Sequence, residues 1–451
     1  MLRAIQQELI HWKDAARRRP LLLRGARQVG KTFAVQQFAQ THFTNCVELN
    51  FELSPDVRGI FSTLDPRAII RTIALTRNVT IIPGQTLVFL DEIQECPQAL
   101  MAFRYFHEQM PELHVIGAGS LLDFTLRSED FRMPVGRIQY LFLRPLSFLE
   151  FLTAAGEQTL TEYLATLTLT TAVPEAVHGK LLSLVRDYLL TGGMPAVIEE
   201  YLRAPQQTTY QRVATALLQT YRDDFGKYAS RVKHTYLQRV FDSAPRLVGQ
   251  RYKYAQVDRE IRSRELKDAL SLLVRAGTLS RIHATSGAGL PFAALSKEPL
   301  FKILFLDVGL MQRACGLDAT IATATDFLAI NAGAVAEQFV GQELLAYSAP
   351  YEDAALFFWF REKRGSQAEV DYLSSVDGIV IPIEVKAGKT GRLRSLKQFM
   401  DEYHPPLGVR ISQTPLSYAE RVLSVPLYAI GQLPQLIREG ITEESARPAT
   451  H

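Results

Sequence analysis

Short apolar runs recur through the first third of the chain, and a longer stretch with helical spacing separates each from the next. The runs are Leu21–Arg24, Cys46–Phe51, Leu87–Leu90, Leu113–Gly117 and Gln139–Leu143. Thr86–Leu90 is continuously apolar, as a strand buried on both faces requires, and the alternation of such segments with helical patterns implies βαβ units around a parallel sheet. From Ser147 to about Val240 the apolar positions keep helical spacing, broken at Thr191-Gly192-Gly193-Met194-Pro195. Tyr252 to about Leu317 reads as a compact unit of two short helices, a turn at Gly277 and strand-like segments. The stretch from about Asp326 to Tyr428 opens as a helix and becomes strand-rich between Leu356 and Ala387, and the residues after Gly440 are polar and expected to fray. The pattern divides the chain into an α/β unit over 1–146, a helical region over 147–240 and a compact unit over 241–318. A second α/β unit over 319–431 and a polar tail over 432–451 complete it.

Length agrees with this division, since 451 residues can form several domains with cores of their own. A net charge of +3 gives no global basic signature, so any contact with nucleic acid has to come from a local patch. Cys46, Cys96 and Cys315 are odd in number and lack C-x-x-C spacing. That fits a reducing compartment and argues against a disulfide framework or a structural zinc site. The first nineteen residues are amphipathic and interrupted by charge, unlike a signal peptide, and no apolar run approaches the length of a membrane span. A soluble, cytoplasmic protein is expected.

Chemistry enters directly after the first strand. Gly25-Ala26-Arg27-Gln28-Val29-Gly30-Lys31-Thr32 fits G-x-x-x-x-G-K-[ST] between that strand and the helix-compatible stretch Phe33–Phe43. A loop of this kind cradles a triphosphate in backbone N–H groups at a helix N-terminus. Lys31 is expected to reach the β- and γ-phosphates and Thr32 to hold Mg²⁺. The strand Thr86–Leu90 ends in Asp91-Glu92. Asp91 is expected beside the Mg²⁺ and Glu92 behind the attacking water, which makes ATP and Mg²⁺ the expected cofactors. Ser120, at the end of the fourth strand, is either a polar sensor of the γ-phosphate or a turn residue. Arg137, just before the fifth strand, is either a finger reaching a neighbouring subunit's γ-phosphate or a surface ion-pair partner.

A second constellation follows from strand geometry. Asp377-Gly378 is a two-residue hairpin signal between Val370–Val376 and Ile379–Ala387. Pairing Val376 with Ile379 sets Asp371 opposite Glu384, with Lys386 on the same face and Val370, Tyr372, Ile383 and Val385 on the other. Two facing carboxylates repel unless a cation lies between them, and a divalent metal beside Lys386 is the simplest answer. The alternative is a solvent-facing hairpin whose charge pairs have no function. Pro382 lies within the second strand and requires an edge or a bulge. Arg361, Lys363, Arg364, Lys389, Arg392, Arg394 and Lys397 surround the acids in sequence. In the middle unit Tyr254–Ile261, Glu265–Arg275 and Thr278–His283 resemble a winged helix. Arg259, Arg262, Arg264 and Lys267 there either meet phosphates or form a solvated basic face.

Gly25–Thr32, Leu87-Val88-Phe89-Leu90-Asp91-Glu92-Ile93-Gln94, Gly136-Arg137 and Arg144-Pro145-Leu146-Ser147-Phe148-Leu149-Glu150-Phe151-Leu152 together resemble a known family. So do Gly192-Gly193-Met194-Pro195 and Arg222-Asp223. It is a widespread prokaryotic group of AAA-superfamily P-loop ATPases with a C-terminal domain related to PD-(D/E)XK nucleases, and the likeness runs from about Leu22 to Phe399. Gly117-Ala118-Gly119-Ser120 departs from the expected Thr-Gly-Ser-Ser. The resemblance implies an α/β protein: a parallel-sheet AAA-type ATPase domain, a helical and winged-helix-like middle, and an α/β PD-(D/E)XK-like C-terminal domain. It adds Glu337, on the helix before the hairpin, to Asp371 and Glu384 as a third Mg²⁺ ligand. Taken with the residues above, the favoured function is ATP-dependent action on nucleic acid, DNA in preference, with metal-dependent phosphodiester cleavage by the C-terminal domain, and the Arg137 finger reading would require a homo-oligomer. The alternative is an ATP-controlled assembly or partner-binding switch whose nuclease-like domain only binds.

Overall fold

The computed structural model describes residues 1, 3–120, 136–205, 208–228, 231–317, 333–363, 366–386 and 393–446. After α1 (Ile5–Asp14), β1 (Leu21–Arg24) runs into α2 (Lys31–His42), then β2 (Asn45–Asn50), α3 (Pro66–Arg77) and β3 (Thr86–Asp91). Next come α4 (Pro97–Gln109), β4 (His114–Gly119) and β5 (Gln139–Phe142). The five strands lie in the order β2-β3-β4-β1-β5, every neighbouring pair parallel. All six residues of β3 are buried, as a strand covered on both faces requires. β1 sits inside the sheet, and its carboxyl end releases the phosphate loop on the same edge as the carboxyl end of β3, with β4 between them, where open α/β sheets place their ligands.

Six helices follow: α5 (Phe148–Ala154), α6 (Gln158–Ala165), α7 (Glu175–Thr191), α8 (Pro195–Arg203), α9 (Thr209–Tyr228) and α10 (Arg231–Leu247). The middle unit holds α11 (Tyr254–Val257), α12 (Ser263–Arg275), β6 (Leu279–Thr285), β7 (Ser296–Phe305) and α13 (Val308–Cys315). The first of its helices is shorter than the apolar spacing suggests. It stops at Val257 because the Asp258 carboxylate takes the N–H of Glu260, 2.9 Å away, and turns the chain.

The C-terminal part comprises α14 (Ala334–Ala346), β8 (Leu356–Lys363), β9 (Ser366–Val376), β10 (Ile379–Val385), α15 (Arg394–Tyr403), β11 (Gly408–Ser412), β12 (Ser417–Ala419), β13 (Val422–Pro426) and α16 (Leu433–Ala446). Its strands join those of the middle unit in one mixed sheet, β12-β13-β11-β10-β9-β8-β6-β7. β6 pairs with β8 in parallel, so the sheet crosses the expected boundary near 318, and that position lies outside the described residues. The expected fraying after Gly440 is not found. α16 continues to Ala446 and buries Leu433, Leu436, Ile437 and Gly440, a helical spacing that gives it one apolar face. One apolar core runs from Leu21 and Phe148 through Tyr188 and Phe305 to Phe339, Tyr372 and Leu436, so the two sheets are packed through shared helices. No helix among the described residues is long and apolar enough to cross a membrane.

Candidate functional site

The phosphate loop is shaped by its backbone. Gly25, Gln28 and Gly30 have φ of 154°, 60° and 95°. Successive turns of this kind aim N–H groups into one concavity, the geometry that holds an anion. A side chain at Gly25 would strike the carbonyl oxygen of Leu143, so this glycine is required by the neighbouring β5 end as well as by any phosphate. Lys31 Nζ donates to the carbonyl oxygens of Gly25 at 3.1 Å and Ala26 at 2.8 Å, folding back over its own loop. Burial pulls the Lys31 ammonium down to about 8, although Glu92 and Asp91 favour its charge.

Across the loop, Thr32 Oγ1 donates to Asp91 Oδ2 at 2.9 Å, and Asn50 Nδ2 donates to the same oxygen at 3.1 Å. Burial pushes Asp91 up to about 6 against the opposing Thr32 hydrogen bond. A hydroxyl and a carboxylate this close are the hard oxygen donors that Mg²⁺ takes beside a phosphate, so the pair fits that ion. Glu92 occupies the left-handed region at φ 49°, and its Oε2 accepts from the amide of the buried Gln94. A non-glycine residue held there is a strained position of the kind found at functional sites. Gln94, the last residue of Asp-Glu-Ile-Gln, therefore orients the expected catalytic glutamate.

Sequence reasoning missed what braces the loop from outside. Arg3 is buried and donates to Val29 O at 2.8 Å, Arg144 O at 2.6 Å and Glu150 Oε1 at 3.0 Å. Glu150 belongs to a capping box with Ser147 at the start of α5, so the Ser-x-x-Glu spacing was readable but its partner 147 positions away was not. Arg27 pairs with Asp224 of α9 and lies 3.3 Å from Glu52, while Tyr221 Oη donates to Arg27 O at 2.5 Å. The Gly-Gly-Met-Pro motif joins three segments. Gly193 accepts from Leu146 N at 2.7 Å and donates to Asp307 Oδ2 at 2.5 Å, too close to Leu146 for any side chain.

Beneath it lies a buried polar network. Glu343 of α14 accepts from Phe148 N at 3.0 Å and from Tyr188 Oη at 3.2 Å, and Gln342 donates to Tyr188 Oη at 2.9 Å. Burial raises Glu343 to about 8 and Asp307 to about 6. α14 thus hydrogen-bonds directly to the start of α5, within the Arg144–Leu152 stretch.

Ser120 is buried beside the loop, its Oγ without a hydrogen-bond partner among the described residues, and it lines a cavity of about 450 Å³ with Gly25, Ala26, Arg144, Gly277 and Arg281. Arg137 has a side chain 44% exposed and pairs with Glu108 at 3.0 Å, the surface ion pair that was the alternative to a finger.

At the C-terminal hairpin the expected register holds from Ile379–Val376 to Ile383–Tyr372. Pro382 breaks no ladder on its other side, because β11 pairs only with Ile383, Glu384 and Val385. Beyond Tyr372 the arrangement differs. A bulge between β8 and β9 shifts the pairing from Phe357–Leu373 to Trp359–Val370, and Asp371 Oδ2 accepts from Val385 N at 2.8 Å. Tyr372, expected on the opposite face from the acids, donates to Glu337 O at 2.8 Å, since an extra residue in one strand reverses the alternation. Asp371 and Glu384 are still close enough that Asp371, after burial, helps push Glu384 up to about 7.

The cation between the acids is one that the sequence did not reveal. Lys302 of β7 pairs with Glu369, with Glu337 at 3.2 Å and with Asp371 at 3.7 Å. Lys386 pairs with Glu384 at 2.6 Å. Among the described residues no three His, Cys, Asp or Glu side chains are grouped so as to hold a metal. Of the expected Mg²⁺ set, Glu337 and Asp371 meet at Lys302, while Glu384 turns to Lys386, so side-chain ammonium groups stand where the ion was expected. Of the surrounding basic residues, Arg361 pairs with Glu402 at 3.3 Å and Lys397 with Glu420 at 3.8 Å; Arg364, Lys389 and Arg392 lie outside the described residues.

Residues 17–152 match the family model of an AAA domain. The N-terminal unit is an AAA-type P-loop ATPase domain. Residues 182–320 match a domain of unknown function, DUF8612, which spans α7 to α13, and residues 332–430 match another, DUF4143. No curated protein matches the chain. Among solved structures, the Aeropyrum pernix ORC2 protein in ADPNP–ADP complexes is 12% identical, covering 72% of this chain and 96% of its own, at TM-score 0.36. The Aeropyrum pernix ORC1 protein in complex with DNA is 14% identical, covering 71% and 94%, at TM-score 0.28. C. elegans PCH-2 is 12% identical, covering 45% and 62%, also at 0.28. TM-scores this low carry no weight for function.

Proposed function

We propose that this protein binds ATP with Mg²⁺, hydrolyses it, and uses the cycle to act on nucleic acid, DNA in preference, in the cytoplasm. Gly25–Thr32 would hold the triphosphate, with Thr32 and Asp91 on the ion, Glu92 behind the attacking water and Ser120 as a sensor. The three free cysteines are consistent with that compartment. Arg137 is exposed enough to serve a neighbouring subunit of a homo-oligomer.

The observation that carries the nucleic-acid reading is the seat of the middle unit on the phosphate loop. A Cβ placed on Gly277, in the turn between α12 and β6, would stand 3.4 Å from Ala26 N. Any movement of the loop with the nucleotide is thereby passed to α12. The exposed positions on and before that helix carry Arg259, Arg262, Arg264 and Lys267 against Glu260 and Asp268, and none of the four cations forms an ion pair among the described residues. This supports a winged-helix-like unit meeting a phosphate backbone.

For the C-terminal sheet we favour a PD-(D/E)XK-like arrangement of Glu337, Asp371, Glu384 and Lys386, supported by the hairpin register and the helix-borne glutamate. The second reading, an ATP-controlled switch whose nuclease-like domain only binds, is favoured for this sheet by Lys302. Cleavage through the acids would need a divalent ion where the chain's own ammonium stands. The test is ATP turnover with and without duplex DNA or RNA, together with retention of each at rising salt. Stimulated turnover and salt-sensitive retention are expected. Unchanged turnover with no retention would sink the nucleic-acid reading and leave the switch.

A further inference from the structure

We infer that Lys302 is the resident cation of the C-terminal carboxylate cluster, so that this sheet keeps its acids together without a divalent metal. The inference rests on the proposed convergence of Glu337, Asp371 and Glu384 and is independent of the nucleic-acid reading.

Lys302 comes from outside the hairpin. It lies on β7, an edge strand of the shared sheet, where it pairs with Ile282 of β6, and its side chain is 1% exposed. Its Nζ sits among Glu369, Glu337 and Asp371, with the Phe358 ring centroid 5.3 Å away. An ammonium with no water around it is tolerable only beside compensating charge, and three carboxylates supply it. Burial alone would pull Lys302 down, yet the acids together hold it well above the usual lysine range.

An inventory of oxygens completes the argument. Asp371 uses Oδ1 toward Lys302 and Oδ2 for the N–H of Val385. Glu337 Oε2 and Glu369 Oε1 are on Lys302, and Glu384 Oε1 is on Lys386. Within the Asp371–Glu384 pair, the buried oxygen without a hydrogen-bond partner among the described residues is Glu384 Oε2. Mg²⁺ and Mn²⁺ keep waters in part of their shell, but the protein oxygens they would take here are those already turned to Lys302, Lys386 and the Val385 N–H. A divalent ion brought to these carboxylates would also meet the ammonium at close range and be repelled. The reverse holds too: with the ammonium gone, three or four carboxylates would face one another with no counter-charge and become a site for a hard cation.

The experiment is Mn²⁺ alone titrated into the full chain at neutral pH, with free Mn²⁺ followed by electron paramagnetic resonance. Wild type and Asp371→Asn are expected to take up the same amount. Lys302→Met is expected to gain about one further equivalent, and Lys302→Met/Asp371→Asn to lose it. An Asp371-dependent equivalent in wild type overturns the inference, as does a folded Lys302→Met that gains none. If Lys302→Met does not fold, the wild-type comparison decides alone. DNA-stimulated ATP turnover measured on the same wild-type sample separates failure of the nucleic-acid reading from failure of this one.

Discussion

Arg27 in the phosphate loop is ion-paired with Asp224 in α9, a residue 197 positions away whose side chain is buried. The pair, with Tyr221 on the Arg27 carbonyl, fastens the helical region to the part of the loop that would face a triphosphate. Removing one partner of a buried pair leaves an uncompensated charge and typically costs about 3–5 kcal/mol. Asp224→Ala should fall near the lower end of that range, because Glu52 at 3.3 Å still partners Arg27 from the exposed side. Urea unfolding of Asp224→Ala, Arg27→Ala and the double variant checks this. Additive losses would show that the two side chains are merely adjacent.

Lys31→Ala should abolish nucleotide binding, since no other lysine of the loop can meet the β- and γ-phosphates. Glu92→Gln should instead bind ATP with near-normal affinity and lose turnover on the order of 10²-fold or more, the usual scale for a general base. Gln94→Ala, which frees Glu92 rather than deleting it, should lower kcat with little change in KM. Normal hydrolysis by Glu92→Gln would remove Glu92 from the proposed chemistry.

The elements and chemistry that local pattern can carry were legible. Each strand of the first sheet lies within two residues of its candidate segment, and the fully buried β3 shows why: a parallel strand covered on both faces leaves an uninterrupted apolar stretch. The two-residue turn at Asp377-Gly378 fixed the hairpin register as far as Tyr372. What failed did so for non-local reasons. The bulge lies in the β8–β9 pairing, not in the β9–β10 hairpin that the turn registers, and Lys302 is remote in sequence from every acid that it serves. Arg3, Asp224 and Asp307 look like ordinary surface charges until the fold buries them against the phosphate loop or its supports. The shared sheet was hidden for the same reason: β6 and β8 are parallel, so no turn between them announces the pairing.

Stability should fall as pH rises toward 8, and Glu343 should account for a measurable part of the fall. Its carboxyl is raised from 4.5 to about 8 by burial at the junction between α14 and α5. The folded state therefore keeps a proton that the unfolded chain releases. This contribution is fully present below pH 4.5 and is lost as pH rises through about 8, at up to about 1.4 kcal/mol per pH unit for one proton. Glu343→Gln retains a carbonyl to accept from Phe148 N and cannot titrate. Urea midpoints between about pH 5 and 8 should thus slope less steeply in the variant. Comparing the two proteins cancels His114, lowered to about 4 by burial, which acts in the opposite direction. Parallel slopes would mean that Glu343 enters folding already ionised.

The basic stretch on α12 gives the most direct test of how the protein meets nucleic acid. Arg262, Arg264 and Lys267 are exposed, and α12 is anchored through Leu266, Ala269, Leu270, Leu272 and Leu273. Replacing the three cations with glutamine should therefore leave the helix packed while removing its charge. If they lie on phosphates, binding should weaken similarly for different DNA sequences. The slope of log K against log salt should become shallower by about 0.9 for each phosphate no longer neutralised. Arg67→Gln/Arg71→Gln/Arg77→Gln removes the same charge from exposed positions of α3 and controls for the overall field. An equal change in slope for both triple variants would reduce the effect to net charge. A change confined to the α12 variant would locate the bound phosphates at the N-terminal end of α12, the end away from the Gly277 turn that rests on the nucleotide loop.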